Sequence, residues 1–129
     1  MFKILNDKTI CLTRGDVANI VFAPKLGGED VEFTPYVFNE GDVVRFTVTN
    51  KNDYTSVIIM KDVIAEAGAD KVVIRLTSDD TRIGDPINKP TDYWYEIEIN
   101  PDTAPQTPIG FDTDGPKLFR LFPEGGAKR

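Results

Sequence analysis

Between Tyr93 and Asn100 the chain reads Tyr-Trp-Tyr-Glu-Ile-Glu-Ile-Asn, and no other stretch limits the fold as much. Tyr93, Tyr95, Ile97 and Ile99 fall on one side of a two-residue repeat and Trp94, Glu96, Glu98 and Asn100 on the other, the pattern of a half-buried strand. On a helix the same apolar residues would scatter around the cylinder. Aromatic and β-branched side chains suit a pleated surface with neighbours on both sides, so the spacing predicts a central strand.

The rest of the chain repeats the pattern in shorter pieces. Thr9-Ile10-Cys11-Leu12 reads as a first strand, turned back at Arg14-Gly15-Asp16. Val17 to Ala23 puts Ala18, Ile20 and Phe22 on one face before Pro24 ends its ladder. Gly27-Gly28 marks a loop, and Val31 to Phe38, interrupted by Pro35, reads as an edge segment feeding a turn at Asn39-Glu40-Gly41-Asp42. Val43 to Asn50 places Val44, Phe46 and Val48 inward and Arg45, Thr47 and Thr49 outward. Val57 to Ile64 and Lys71 to Thr77 flank Glu66-Ala67-Gly68-Ala69 and are expected to form a hairpin. Asp79 to Asp92, with Gly84, Pro86 and Pro90, reads as a long surface loop with one helical turn near Thr81. Ile109-Gly110-Phe111 and Lys117 to Phe122, separated by Asp112 to Pro116, are expected to close the fold as a second hairpin.

No amphipathic helix separates these strands, so the expected fold class is all-β, an immunoglobulin-like antiparallel β-sandwich. The 129 residues suffice for one domain, expected over residues 1–124 with a flexible tail over 125–129. With 40% hydrophobic and 28% charged residues the composition is that of a globular chain. A net charge of -6 argues against a phosphate-backbone partner, so no nucleic acid is expected. No run reaches the ~20 apolar residues of a membrane helix, and the polar break after Leu5 leaves no signal-peptide core, so synthesis in a cytoplasm is expected.

The chain contains no histidine, which removes the usual triads and the commonest metal ligand. Of the carboxylate pairs, Asp79 and Asp80 would point to opposite faces of a strand, whereas Glu96 and Glu98 share the outer face about 6.5 to 7 Å apart; a solvated face is the preferred reading of both. Asp112-Thr113-Asp114-Gly115 fails as a calcium loop: aligning its glycine puts Gly110 at the first ligand position and Leu121 where a bidentate Glu belongs. Arg14-Gly15-Asp16 matches an integrin-binding tripeptide but is read instead as a turn in which Asp16 hydrogen-bonds local backbone. Cys11 has no disulfide partner and reads as a small buried hydrophobe. Trp94, on the outer face, has two readings: a platform for sugar, or burial against a loop or neighbouring subunit. No metal, cofactor or catalytic residue is expected.

Several segments, in order, resemble the amino-terminal domain of phage baseplate upper proteins, small β-sandwich modules of phages and prophages of Gram-positive bacteria. They are Thr9 to Asp16, Glu40 to Val48, Asp80-Thr81 ahead of Tyr93 to Ile99, and Leu118 to Glu124, so the resemblance spans nearly the whole chain. It implies a virion structural module of baseplate or tail, without catalysis, made in the host cytoplasm and carried in the virion. The implied partners are other phage structural proteins or further copies of the chain. Trp94, Tyr93, Ile83 and Asp85 are the interface candidates. The alternative is a carbohydrate-binding module using Trp94 and nearby tyrosines.

Overall fold

The computed structural model describes residues 1–26, 34–84 and 89–124. In chain order the elements are β1 (Phe2–Ile4), β2 (Ile10–Thr13), β3 (Ala18–Phe22), β4 (Lys25–Leu26), β5 (Thr34–Pro35), β6 (Val43–Asn50), β7 (Asp53–Ile64), β8 (Val72–Leu76), α1 (Ser78–Thr81), β9 (Thr91–Ile99), β10 (Gln106–Ile109) and β11 (Lys117–Phe122). Gly27-Gly28, residues 31–33 of the expected edge segment, Asp85 and the tail at 125–129 lie outside the described residues.

The expected central strand is β9. The larger sheet runs β1-β2-β11-β9-β6-β7, with β10 also paired to β9. β6 lies along one edge of β9, from Val44 opposite Ile99 to Thr49 opposite Trp94. Two strands divide the other edge, β11 pairing with Thr91 to Tyr95 and β10 with Ile97 and Ile99. The expected closing hairpin of residues 109–111 with Lys117 to Phe122 is therefore corrected. The two segments dock one after the other along β9, and only the Asp112–Gly115 bridge joins their connection.

A second correction concerns Val57 to Ile64 and Lys71 to Thr77, which are not a hairpin. β7 pairs with β6 over its length, whereas β8 crosses to β3, where Ala18, Ile20 and Phe22 oppose Leu76, Ile74 and Val72. The connection is tied elsewhere: Ala65 donates to the Asp42 carbonyl, Gly68 to that of Phe38, and Phe38 in turn to that of Ala69, at 2.8–2.9 Å. Those bonds, with Gly68 at φ +83°, lead the chain from one sheet to the other instead of turning it back.

The fold is thus all-β and sandwich-like, but not purely antiparallel. β2 and β11 pair in parallel, Ile10 beside Phe119 through Thr13 beside Phe122. The inward residues of both sheets form one core, in which Phe46, Val48, Tyr95, Ile97, Ile74 and Leu76 are all buried. Ring contacts Phe46–Tyr95 (5.7 Å) and Phe46–Phe119 (6.2 Å) centre that core on β9 and its neighbours β6 and β11. The helical turn expected near Thr81 is α1, capped by Thr77 and Asp80 in a reciprocal box.

Candidate functional site

The outer face of the larger sheet is not simply a solvated surface. Thr49, outward by alternation, is only 1% exposed, because its cross-strand neighbour on that face is Trp94. Trp94 in turn lies against Tyr54, ring centroids 5.0 Å apart at 43°, and against Phe111 at 5.8 Å and 76°. Tyr54 and Phe111 meet at 6.3 Å and close the triangle. Offset and edge-on rings of this kind hold one another beyond the area they bury.

Local backbone chemistry places each ring. Tyr54 follows the tight reversal from β6 to β7, where Asn52 sits at φ +67° and Asp53 accepts from the Thr55 amide at 3.0 Å. Phe111 hangs between Gly110 and a closed turn. A Cβ on Gly110 would come within 2.8 Å of the Thr107 methyl, so any larger residue there would push the Thr107 side chain aside. Beyond Phe111, Asp112 and Gly115 exchange backbone bonds while the Asp112 carboxylate accepts from Lys117 Nζ at 2.8 Å and from the Asp114 amide at 2.9 Å. The residues compared with a calcium loop are thus occupied in holding this turn.

Around the triangle the face stays apolar. Phe111 is 60% exposed, Met60 52% and Val57 47%. Register sets Met60 beside Thr47 and Val57 beside Thr49, on the same face as Trp94, with Leu118 across from Trp94 on the other side. Glu96 lies between Trp94 and Glu98 on this face, and burial, aided by the charge of Glu98, raises its pKa above the ordinary carboxylate range. Burial likewise raises the Tyr54 hydroxyl, with the Glu96 charge second, and that hydroxyl is buried without a hydrogen-bond partner among the described residues. The far end is polar, where Arg45 grips Asp62 at 2.8 and 3.0 Å and also reaches Asp102.

The sequence-derived candidates do not form one site. Tyr93, next to Trp94, points to the opposite face, packs partly buried against the core and has its hydroxyl beside Gly84. Ile83 packs against the same core, and its carbonyl accepts from Arg14 Nε at 3.1 Å. Asp85 lies outside the described residues. The rings against Trp94 are Tyr54 and Phe111, and neither was singled out from the sequence. Their signals were there but weak: an aromatic beside the Asn50 to Asp53 reversal, and another beside a glycine and an Asp-rich turn.

The other motifs have structural roles. Arg14 is 6% exposed and its guanidinium is bonded to Glu124 and to the carbonyls of Arg82, Ile83 and Gly84, so the tripeptide it begins is a buried corner. Asp80 caps α1 and pairs with Lys61 at 2.8 Å. Cys11 is buried and unbridged.

Comparisons of the chain with protein-family profiles, with curated proteins and with solved structures found no match.

Proposed function

We propose that the chain is a phage or prophage virion structural module, of baseplate or tail, that works by docking other structural proteins or copies of itself and carries out no catalysis. The observation behind this reading is the outer-face cluster, in which a 60% exposed Phe111 stands on half-buried Trp94 and Tyr54 beside exposed Met60 and Val57. Large aromatics ringed by apolar neighbours are the usual anchors of protein interfaces. The virion assignment itself rests on the sequence resemblance, and an immunoglobulin-like topology belongs to the same proposal. Manufacture in the host cytoplasm and residence in the virion follow from it.

Geometry supports docking over glycan stacking. A sugar needs an open, flat ring face. Here Tyr54, tilted by 43°, and Phe111, nearly perpendicular, crowd the space beside the Trp94 ring.

The test is association. The purified chain would be mixed with the tail proteins encoded beside its gene, and followed by sedimentation velocity over a concentration series, as wild type and as Phe111→Ser. The expected result is a complex or self-association lost in the variant while its melting curve is kept. A strictly monomeric protein that binds glycans through Trp94, from a locus without phage genes, would sink the reading.

A further inference from the structure

β3 and β8 form the second sheet's ladder, and the larger sheet carries on past β11 through β2 to its edge strand β1. Register turns Ile4 and Phe2 to the same side as Ile10 and Leu12, which are 1% and 0% exposed, yet Ile4 and Phe2 remain 47% and 40% exposed. These two residues face inward but are only partly covered.

Beside β3 runs a groove of about 590 Å³, lined on the large-sheet side by Ile4, Ile10, Tyr95, Ile97 and Ile109. That volume lies in the range of formed ligand sites, ~300–1,000 Å³. The opposite wall is the unbroken run from Ile20 to Lys25. Of that run Ile20 to Phe22 belong to β3, Ala23 and Pro24 follow it, and Lys25 opens β4, paired with Pro35. A strand lining a groove with one face would contribute alternate residues, so the consecutive Ile20-Val21-Phe22 mean that β3 presents its backbone edge there. Among the described residues that edge carries no ladder, β3 being paired to β8 alone. Unpaired strand edges are templates for another strand.

Charge narrows the occupant further. In a chain of net charge -6, the groove's lining includes Lys8 and Lys25 and no carboxylate. The Lys8 backbone, at φ +71°, is held at the groove because the buried Tyr95 hydroxyl donates to its carbonyl at 2.6 Å, and its charge also reaches the Asp112 carboxylate.

We propose that this groove receives an extended segment of a partner protein, added as a strand to the free edge of β3, with alternate apolar side chains over Ile4 and Ile109 and acidic side chains between them facing Lys8 and Lys25. The site is separate from the outer-face cluster, and main-chain bonds along the edge would provide affinity while the alternation provides specificity.

The probe is a fluorescein-labelled ten-residue peptide alternating valine and glutamate, titrated by anisotropy into the full chain. Controls replace glutamate by lysine or put proline at the centre, which removes a ladder donor. Saturable binding is expected for the first peptide and not for the controls. The double variant Lys8→Glu/Lys25→Glu should weaken it by about tenfold or more, which corresponds to ~1.4 kcal/mol. Ile4→Trp, at a position 47% exposed, should abolish it with the melting curve kept, whereas Phe111→Ser should leave it unchanged and so separates this site from the docking face above. Hydrogen exchange should show Ala18 to Phe22 protected on binding. No saturable binding, equal binding of the lysine or proline peptide, or indifference to the groove variants would overturn the proposal. So would dodecanoate binding where the peptide does not, which would make the groove a small-molecule site, or a dimer abolished by Ile4→Trp, which would make the occupant a second copy.

Discussion

Arg14 and Glu124, 110 positions apart in the chain, meet at 2.7 Å with side chains only 7% and 8% exposed. The pair joins the turn after β2 to the end of β11, and the remaining guanidinium bonds run to the carbonyls of Arg82, Ile83 and Gly84, so one side chain ties three segments together. Gly15 makes room for it, since a Cβ there would fall 2.7 Å from Arg82 Nη2, itself 3.6 Å from Glu124. Desolvating such a pair is costly, and its bonds offset that cost only while both partners are present.

Arg14→Ala should therefore destabilise the fold by ~3 kcal/mol or more, because Glu124 stays buried without its closest cation and three carbonyls lose a donor. Arg14→Lys should recover little, since an ammonium cannot reproduce the planar fork. Urea melts of the two variants check this; a loss under ~1 kcal/mol for Arg14→Ala would show that the pair is replaceable by water.

Trp94 and Phe111 should separate stability from association. Trp94→Ala empties the centre of the aromatic triangle and uncovers Thr49, and should cost ~2–4 kcal/mol. Phe111→Ser, at a residue already 60% exposed, should cost ~1 kcal/mol or less. Thermal melts of both variants suffice, and equal losses would mean that Phe111 supports the fold as much as Trp94 does.

Tyr54→Phe removes a buried hydroxyl that has no hydrogen-bond partner among the described residues. The rings stay and the desolvation penalty goes, so the variant should be as stable as wild type or more stable by up to ~1 kcal/mol. A drop of that size would show that a water or a neighbouring group satisfies the hydroxyl in solution.

Glu96 should give the fold an unusual pH dependence. Its folded pKa stands above the ordinary 4.5, chiefly through burial and then through Glu98, so across the window just above 4.5 the native state holds more protons than the unfolded chain. From this group alone, stability falls as pH rises through that window and the penalty persists at neutrality. Asp42 works in the opposite sense. Its bond from Asn100 leads those holding its pKa below 3.8, so it stabilises above that value and the gain is lost as pH falls. Glu96→Gln should raise the melting temperature at pH 7 and leave the acid limb in place. An unchanged or lowered melting temperature at pH 7 would show that the carboxylate is solvated.

What could be read from residue order was whatever repeats locally. The faces of β9, of Ala18-Ile20-Phe22, of Val44-Phe46-Val48 and of Val72-Ile74-Leu76 follow from a two-residue period, since slipping any strand by one position would turn its whole apolar set to solvent. The capped turn at Thr77 to Thr81 is local as well, a reciprocal bond between residues three apart. Which edges meet is not written in the same way, because backbone donors and acceptors are chemically alike on every strand. Adjacent segments suggested two hairpins, and tertiary structure overruled both: Phe38, Asp42 and Gly68 carry the chain across to β3, and β9 offers one edge to both β10 and β11. The parallel pairing of β2 with β11 and the burial of Arg14 on Glu124 join the two ends of the chain, while the Tyr54–Trp94–Phe111 triangle joins three separate strands and loops. Contacts so distant in sequence exist only once the sheet has set its strands side by side, so alternation fixed the faces and the assembled sheet alone decided which residues share them.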